Sequence, residues 1–236
     1  MKILEIIVLD VSDVIEAQAG GATSLEVIQN LAVGGLTPDF EPLKAIRDAA
    51  RVHLNVIIRP HARDFVYTPS EIETILRDTE QAVRIGADGI VFGALTSEKE
   101  VDVDLFRRVT DLCRSVKPDI KMTFHRAIEE VRHPEAAFEA LKGIADRILC
   151  SGLVTIATAW DEGHRDLLRQ WVQQYGADFH FACGGGVNLD NLPGIIRHTH
   201  TLEYHVGSGA RVDGKVERLK VAALCEVLQG SNLRSD

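Results

Sequence analysis

A chain of 236 residues, 45% hydrophobic and 26% charged, is too apolar for disorder and too poor in cysteine for a disulfide-stapled miniprotein. Its net charge of −9 leaves no broad basic surface for nucleic acid or an anionic membrane. The cysteines Cys113, Cys150, Cys183 and Cys225 are scattered without a CxxC, which argues against a zinc ribbon and fits a reducing compartment.

The chain begins MKILEIIVL, with Ala17-Gln18-Ala19 imitating a cleavage site. Glu5 interrupts that run, and Asp10, Asp13 and Glu16 follow it, which a secretory signal would not carry. No stretch approaches the roughly 20 apolar residues of a membrane span. The expectation is a cytoplasmic protein.

The first apolar run, 3–9, reads as a strand. Similar β-branched runs follow at 24–29, 54–59, 89–95, 120–125, 146–151, 178–183 and 202–207. Helical periodicity fills most gaps between them. One predicted helix starts at Pro69, with Ile72, Ile75, Leu76, Thr79 and Val83 on one face. The segment 102–117 aligns Leu105, Phe106, Val109, Leu112, Cys113 and Val116, and a third helix groups Leu167, Leu168, Trp171, Val172 and Tyr175. A last helix spans 216–229. Gly86-Ala87-Asp88 and Gly176-Ala177-Asp178 each end a helix and open a strand, with glycine expected in the left-handed position. Eight alternating βα units predict an α/β fold, a (β/α)8 TIM-type barrel forming a single domain over 1–236, its last few residues a tail. An open doubly wound sheet is the rival, but no GxGxxG follows the first strand.

In a barrel the chemistry sits at the carboxyl ends of the strands. Three predicted strands carry a Leu-Glu pair, at Glu5, Glu26 and Glu203, and the first, second and eighth strands are neighbours in a closed barrel. Period-two alternation sets Glu26, Ile28 and Asn30 on one face, and Glu203, His205 and Gly207 on another. Buried carboxylates need partners, and Lys121, Arg147 and Arg59 are the candidates. Glu203 and Arg147 suit an ion-pair layer filling the barrel. Glu5 and Glu26 suit acid/base or substrate roles, with Arg59, His125, Arg126 and His205 completing a candidate catalytic set. His125 beside carboxylates would shuttle a proton near neutral pH or hold a metal.

Gly184-Gly185-Gly186 and Gly207-Ser208-Gly209-Ala210 follow the last two strands. Loops there often cradle an anion, so Gly185, Gly186, Ser208 and Gly209 are candidate anion contacts, with Asn188 as a helix cap and Arg211 or Arg59 adding charge. Gly34-Gly35-Leu36-Thr37-Pro38 reads as a shaped loop leading into a helix. Cys150 and Cys183 fall on adjacent strands and are a candidate soft-metal pair. No HExxH, nucleophile elbow or P-loop is present.

Several of these strand ends together carry a family likeness. Asn30–Pro38 with its GGLTP, Ile57-Ile58-Arg59-Pro60, Asp64-Phe65-Val66-Tyr67, Thr123-Phe124-His125-Arg126-Ala127 and Ser151-Gly152 resemble the CutC family over most of the chain. That resemblance implies a cytoplasmic single-domain barrel, a homodimer or larger homo-oligomer, and a connection with copper. The family commonly carries cysteine where this chain has Ile28, aspartate at Glu129, phenylalanine at Ile128 and threonine near Ser151. Two functions are therefore expected. One is a copper-handling protein whose partner is a metal ion. The other is a barrel enzyme of isomerase or aldolase type acting on a small anionic or phosphorylated sugar-like molecule.

Overall fold

The computed structural model describes residues 2–152 and 160–230, and the expected tail lies outside them. Strands β1 (Ile3–Val8), β2 (Ser24–Val27), β3 (His53–Ile57), β4 (Gly89–Phe92), β5 (Lys121–Phe124), β6 (Arg147–Cys150), β7 (His180–Cys183) and β8 (Glu203–Val206) pair in parallel in chain order. β8 closes on β1, with Glu5 opposite His205. Around this barrel run α1 (Val11–Ala19), α2 (Phe40–Ala49), α3 (Pro69–Ile85), α4 (Val103–Val116), α5 (Pro134–Leu141), α6 (Glu162–Tyr175), α7 (Leu192–Thr199) and α8 (Arg218–Gly230). All eight expected strands are present, and the fold is the expected TIM-type barrel. A small hairpin, Arg211–Val212 with Lys215–Val216, follows β8 and has no signature in the periodicity.

Local chemistry explains the boundaries. The Thr68 hydroxyl accepts from the Glu71 N–H, the Glu71 carboxylate accepts from the Thr68 N–H, and Pro69 opens the helix, so α3 starts on a full capping box. It ends at Gly86 with φ of 105°, as expected. Gly176 differs: its φ is −67°, so α6 ends in a right-handed turn, and glycine is favoured there by space, since a Cβ would stand 2.4 Å from the Val172 carbonyl oxygen. Asn188 also differs in detail. Its side chain accepts from the N–H groups of Asp190 and Asn191, capping the turn before α7 rather than the helix itself.

Strand alternation sorts the core into two parts. Outward residues such as Leu4, Ile6, Leu25, Val56 and Phe92 pack with Phe106, Phe138, Trp171 and Leu224 of the helices into one continuous apolar layer. Each such side chain contributes roughly 1.5–3 kcal/mol when fully buried. Inward residues Ile7, Ile28, Ile57 and Val91 form a separate cluster inside the barrel, on the β1–β4 side. The remaining inward positions are where the polar residues of the strands collect.

Candidate functional site

Glu5, central in β1, is fully buried and points inward. Its Oε1 accepts from Arg147 Nη2 at 2.7 Å and from His205 Nδ1 at 2.8 Å. Its Oε2 accepts from Ser24 Oγ at 3.0 Å and from Asn55 Nδ2. Burial alone would raise the Glu5 pKa, but the Arg147 charge and the His205 hydrogen bond outweigh it and hold the carboxyl well below the usual range. Every lone-pair direction of Glu5 is committed. The side chain expected to act as an acid or base is therefore the anchor of the buried ion-pair layer. Arg147 completes that layer by donating Nε–H to Glu203 at 2.7 Å. The other two cations considered as partners lie elsewhere. Lys121 is exposed and pairs with Asp146. Arg59 donates to the carbonyls of Val33 and Gly35.

Glu26 is different. Its side chain is only 3% exposed, and its Oε2 lies 3.3 Å from His205 Nδ1 yet has no hydrogen-bond partner. Burial pushes its pKa up to about 7; the Glu5 charge adds to the rise, while His205 and Arg147 offset part of it. Glu5, Glu26 and His205 are the one group among the described residues whose donor atoms could share a metal ion, all lying within 4.8 Å of one another.

His125 is the principal departure from expectation. It is buried, its Nδ1 accepts from the Ala127 N–H, and its ring packs 4.8 Å from that of Phe65. Burial first, and Arg59 second, depress its pKa to about 3, so it is neutral throughout the physiological range. His205, not His125, stands beside the carboxylates. Accepting at Nδ1 fixes the proton of His125 on Nε2, a buried donor without a partner. Phe65 also carries the Arg59 guanidinium 4.9 Å above its ring, so Arg59, Phe65 and His125 form a second cluster. The Gly34-Gly35 loop shapes that cluster, both glycines having positive φ.

Arg126 belongs to a third group. It is half-buried and donates Nε–H and Nη2–H to Glu129, which also accepts from the Ser151 N–H and hydroxyl. Its guanidinium carbon lies 3.6 Å from where a Gly185 Cβ would stand, next to the glycine-rich rim. At that rim Gly185 and Gly186 have φ of 81° and 79°, and Gly186 and Ser208 are exposed. Gly209 is there for packing: a Cβ would stand 2.2 Å from the Val187 carbonyl oxygen. Gly209→Ala is therefore expected to cost about 1–3 kcal/mol in urea unfolding, through a backbone shift. A midpoint equal to wild type would mean the two loops are loosely packed. Arg211 does not join this rim; it is buried and donates to Asp13 at 2.9 Å and to the Ile7 carbonyl, clamping the hairpin onto α1.

Cys150 and Cys183 share a parity and are register partners between β6 and β7. Both are fully buried in the outward apolar layer, away from the barrel interior. Burial pushes both thiols far above their ordinary pKa, which works against the thiolate a metal needs. Position 28, expected as cysteine from the family likeness, sits in the inner apolar cluster as isoleucine. Among the described residues the interior thus offers nitrogen and oxygen donors and no sulfur. Ser24, Asn55 and Arg147 complete the site. Asn55 lies at an inward position within the run LNVIIR, and that alternation was the signal that could have found it.

The CutC family model matches residues 2–210. A CutC protein of Xanthomonas axonopodis pv. citri is 34% identical over 214 residues, covering 90% of this chain and 86% of its own. The mouse protein named copper homeostasis protein cutC homolog is 33% identical over 212 residues, 89% of this chain and 75% of its own. The copper homeostasis protein CutC of Streptococcus agalactiae superposes with a TM-score of 0.80 at 23% identity, over 88% of this chain and 99% of its own. Phosphoribosyl anthranilate isomerase of Thermococcus kodakaraensis shares the barrel alone, with a TM-score of 0.64 at 14% identity over the whole of both chains. With the barrel, its strand-end residues and a match over nearly the whole length in agreement, the chain belongs to the CutC family.

Proposed function

We propose that this chain serves copper homeostasis and does so by binding copper itself. The observation that carries the reading is its kinship, over about nine-tenths of its length, with proteins named for copper homeostasis. The donors inside the barrel suit that role in one oxidation state better than the other. Imidazole and carboxylate match Cu(II), whereas Cu(I) prefers thiolate or thioether. No described helix is long and apolar enough to cross a membrane. The cytoplasmic setting and homo-oligomeric state belong to the proposal and rest on the family likeness alone. The test is copper retention by the purified chain, as Cu(II) through equilibrium dialysis and as Cu(I) against a chromophoric chelator without oxygen. One copper retained per chain in either state is expected. Retention of neither would sink the proposal.

A second reading is a barrel enzyme of isomerase or aldolase type for a small anionic, sugar-like molecule. It draws on Arg59, which has no carboxylate within ion-pair distance among the described residues and is held in place by carbonyls and an aromatic face. Such a guanidinium is ready for a carboxylate or phosphate. Thermal-shift screening of phosphorylated sugars on wild type and Arg59→Ala checks it. A shift confined to wild type supports the enzyme, and the absence of any shift counts against it.

A further inference from the structure

We infer that Glu5, Glu26 and His205 form a site for one divalent transition-metal ion inside the barrel. This deepens the copper reading and rests on it only for the choice of copper as the first ion to test. The three residues come from the adjacent strands β8, β1 and β2, so the site is set by barrel closure and not by a loop. His205 Nδ1 lies 2.8 Å from Glu5 Oε1 and 3.3 Å from Glu26 Oε2. An ion bound about 2.0–2.2 Å from each donor would separate those donors by roughly 2.8–3.5 Å, from an octahedral to a tetrahedral edge. Both distances from His205 already fall in that range, and the Glu5 and Glu26 oxygens lie within 4.8 Å of each other.

A second observation points the same way. Glu26 Oε2 is buried and has no hydrogen-bond partner, although native structures satisfy nearly all such atoms. A cation between Glu26 and His205 would satisfy it.

The protons and charges balance. Coordination needs the Nδ1 lone pair of His205, so the ring gives up its hydrogen bond to Glu5 and carries its hydrogen on Nε2, while any proton on Glu26 passes to solvent. Two carboxylates then face a doubly charged ion. Arg147 keeps its hydrogen bonds to Glu5 Oε1 and Glu203, lowering affinity but fixing the ligand. Ser24 and Asn55 hold the other Glu5 oxygen, the outer support that orients metal ligands. One nitrogen and two oxygens favour Cu²⁺ or Zn²⁺ over Mg²⁺ or Ca²⁺, which take sets of six or more oxygens.

The experiment titrates the purified full chain with Cu²⁺ and with Zn²⁺, following calorimetry and the electron paramagnetic resonance of the copper form. Wild type, Glu26→Gln and the double variant Cys150→Ser/Cys183→Ser are compared, each with a thermal melt. The expected result is one Cu²⁺ with a single nitrogen coupling in wild type, at least tenfold weaker in Glu26→Gln and unchanged in the cysteine double variant. Binding lost in the cysteine variant and kept in Glu26→Gln would overturn the site while leaving the copper reading standing. No stoichiometric binding of Cu²⁺, Zn²⁺ or Cu⁺ by wild type would overturn both. Should Glu26→Gln fail to fold, the wild-type spectrum still decides, since a copper signal lacking nitrogen coupling excludes His205.

Discussion

Arg147→Met is expected to cost about 3–5 kcal/mol of folding stability, the largest loss of any single substitution inside the barrel. The guanidinium donates to Glu5 and Glu203 at 2.7 Å each, and all three residues are buried. Methionine fills similar space but leaves two carboxylates without a cation in a medium that solvates them poorly. Against a typical stability of about 5–15 kcal/mol, that loss can leave the variant largely unfolded. Urea unfolding followed by circular dichroism at pH 7 measures it. The companion variant Glu5→Gln/Arg147→Met/Glu203→Gln removes the charges together and is expected to recover much of the loss, because the penalty lies in the stranded carboxylates. A single variant within 1 kcal/mol of wild type would show that water reaches this layer. Acid makes the same point in wild type. The Glu5 pKa is depressed in the fold, so its contribution is present above the ordinary carboxylate range and disappears as pH falls through the folded value.

The barrel was legible because its strands are short, β-branched and regularly spaced, and because outward positions must be apolar to pack against helices. Parity then exposed Glu5, Glu26, Glu203 and His205, since a charged residue inside such a run can only face inward. Alternation could not say which of them would be satisfied. That depends on Arg147 reaching across the barrel to Glu5, 142 positions away in the chain. Once Arg147, His205, Ser24 and Asn55 are all spent on Glu5, Glu26 is left short of a partner. His125 was misread for a related reason. Its neighbours are set by the Phe65 loop after β3, and loop placement leaves no periodic trace. Composition gave no sign either that the two cysteines on β6 and β7 turn outward. Their register partnership follows from strand pairing, whose one-residue shifts reverse every side chain.

Glu26 provides the second large effect, and it is a difference in pH dependence. In the fold its carboxyl titrates near 7, against 4.5 for the free group, with Glu5 on β1, His205 on β8 and Arg147 on β6 as the charged neighbours. A raised acid pKa means the folded state holds the proton more tightly than the unfolded chain. The associated stability is complete below the unfolded value and is lost as pH rises through the folded one. A displacement of that size corresponds to roughly 3 kcal/mol. Glu26→Gln cannot ionise, so relative to wild type it should gain about that much between pH 4 and pH 8. Any constant cost of the amide cancels from the comparison. Urea midpoints of both proteins at several pH values, with a chelator present to keep the site free of metal, give the answer directly. Diverging curves that open between pH 4.5 and pH 7 would establish Glu26 as the carboxyl the barrel leaves uncompensated. Parallel curves would mean that it finds a donor in solution, and the case for a cation at this position would lose its second support.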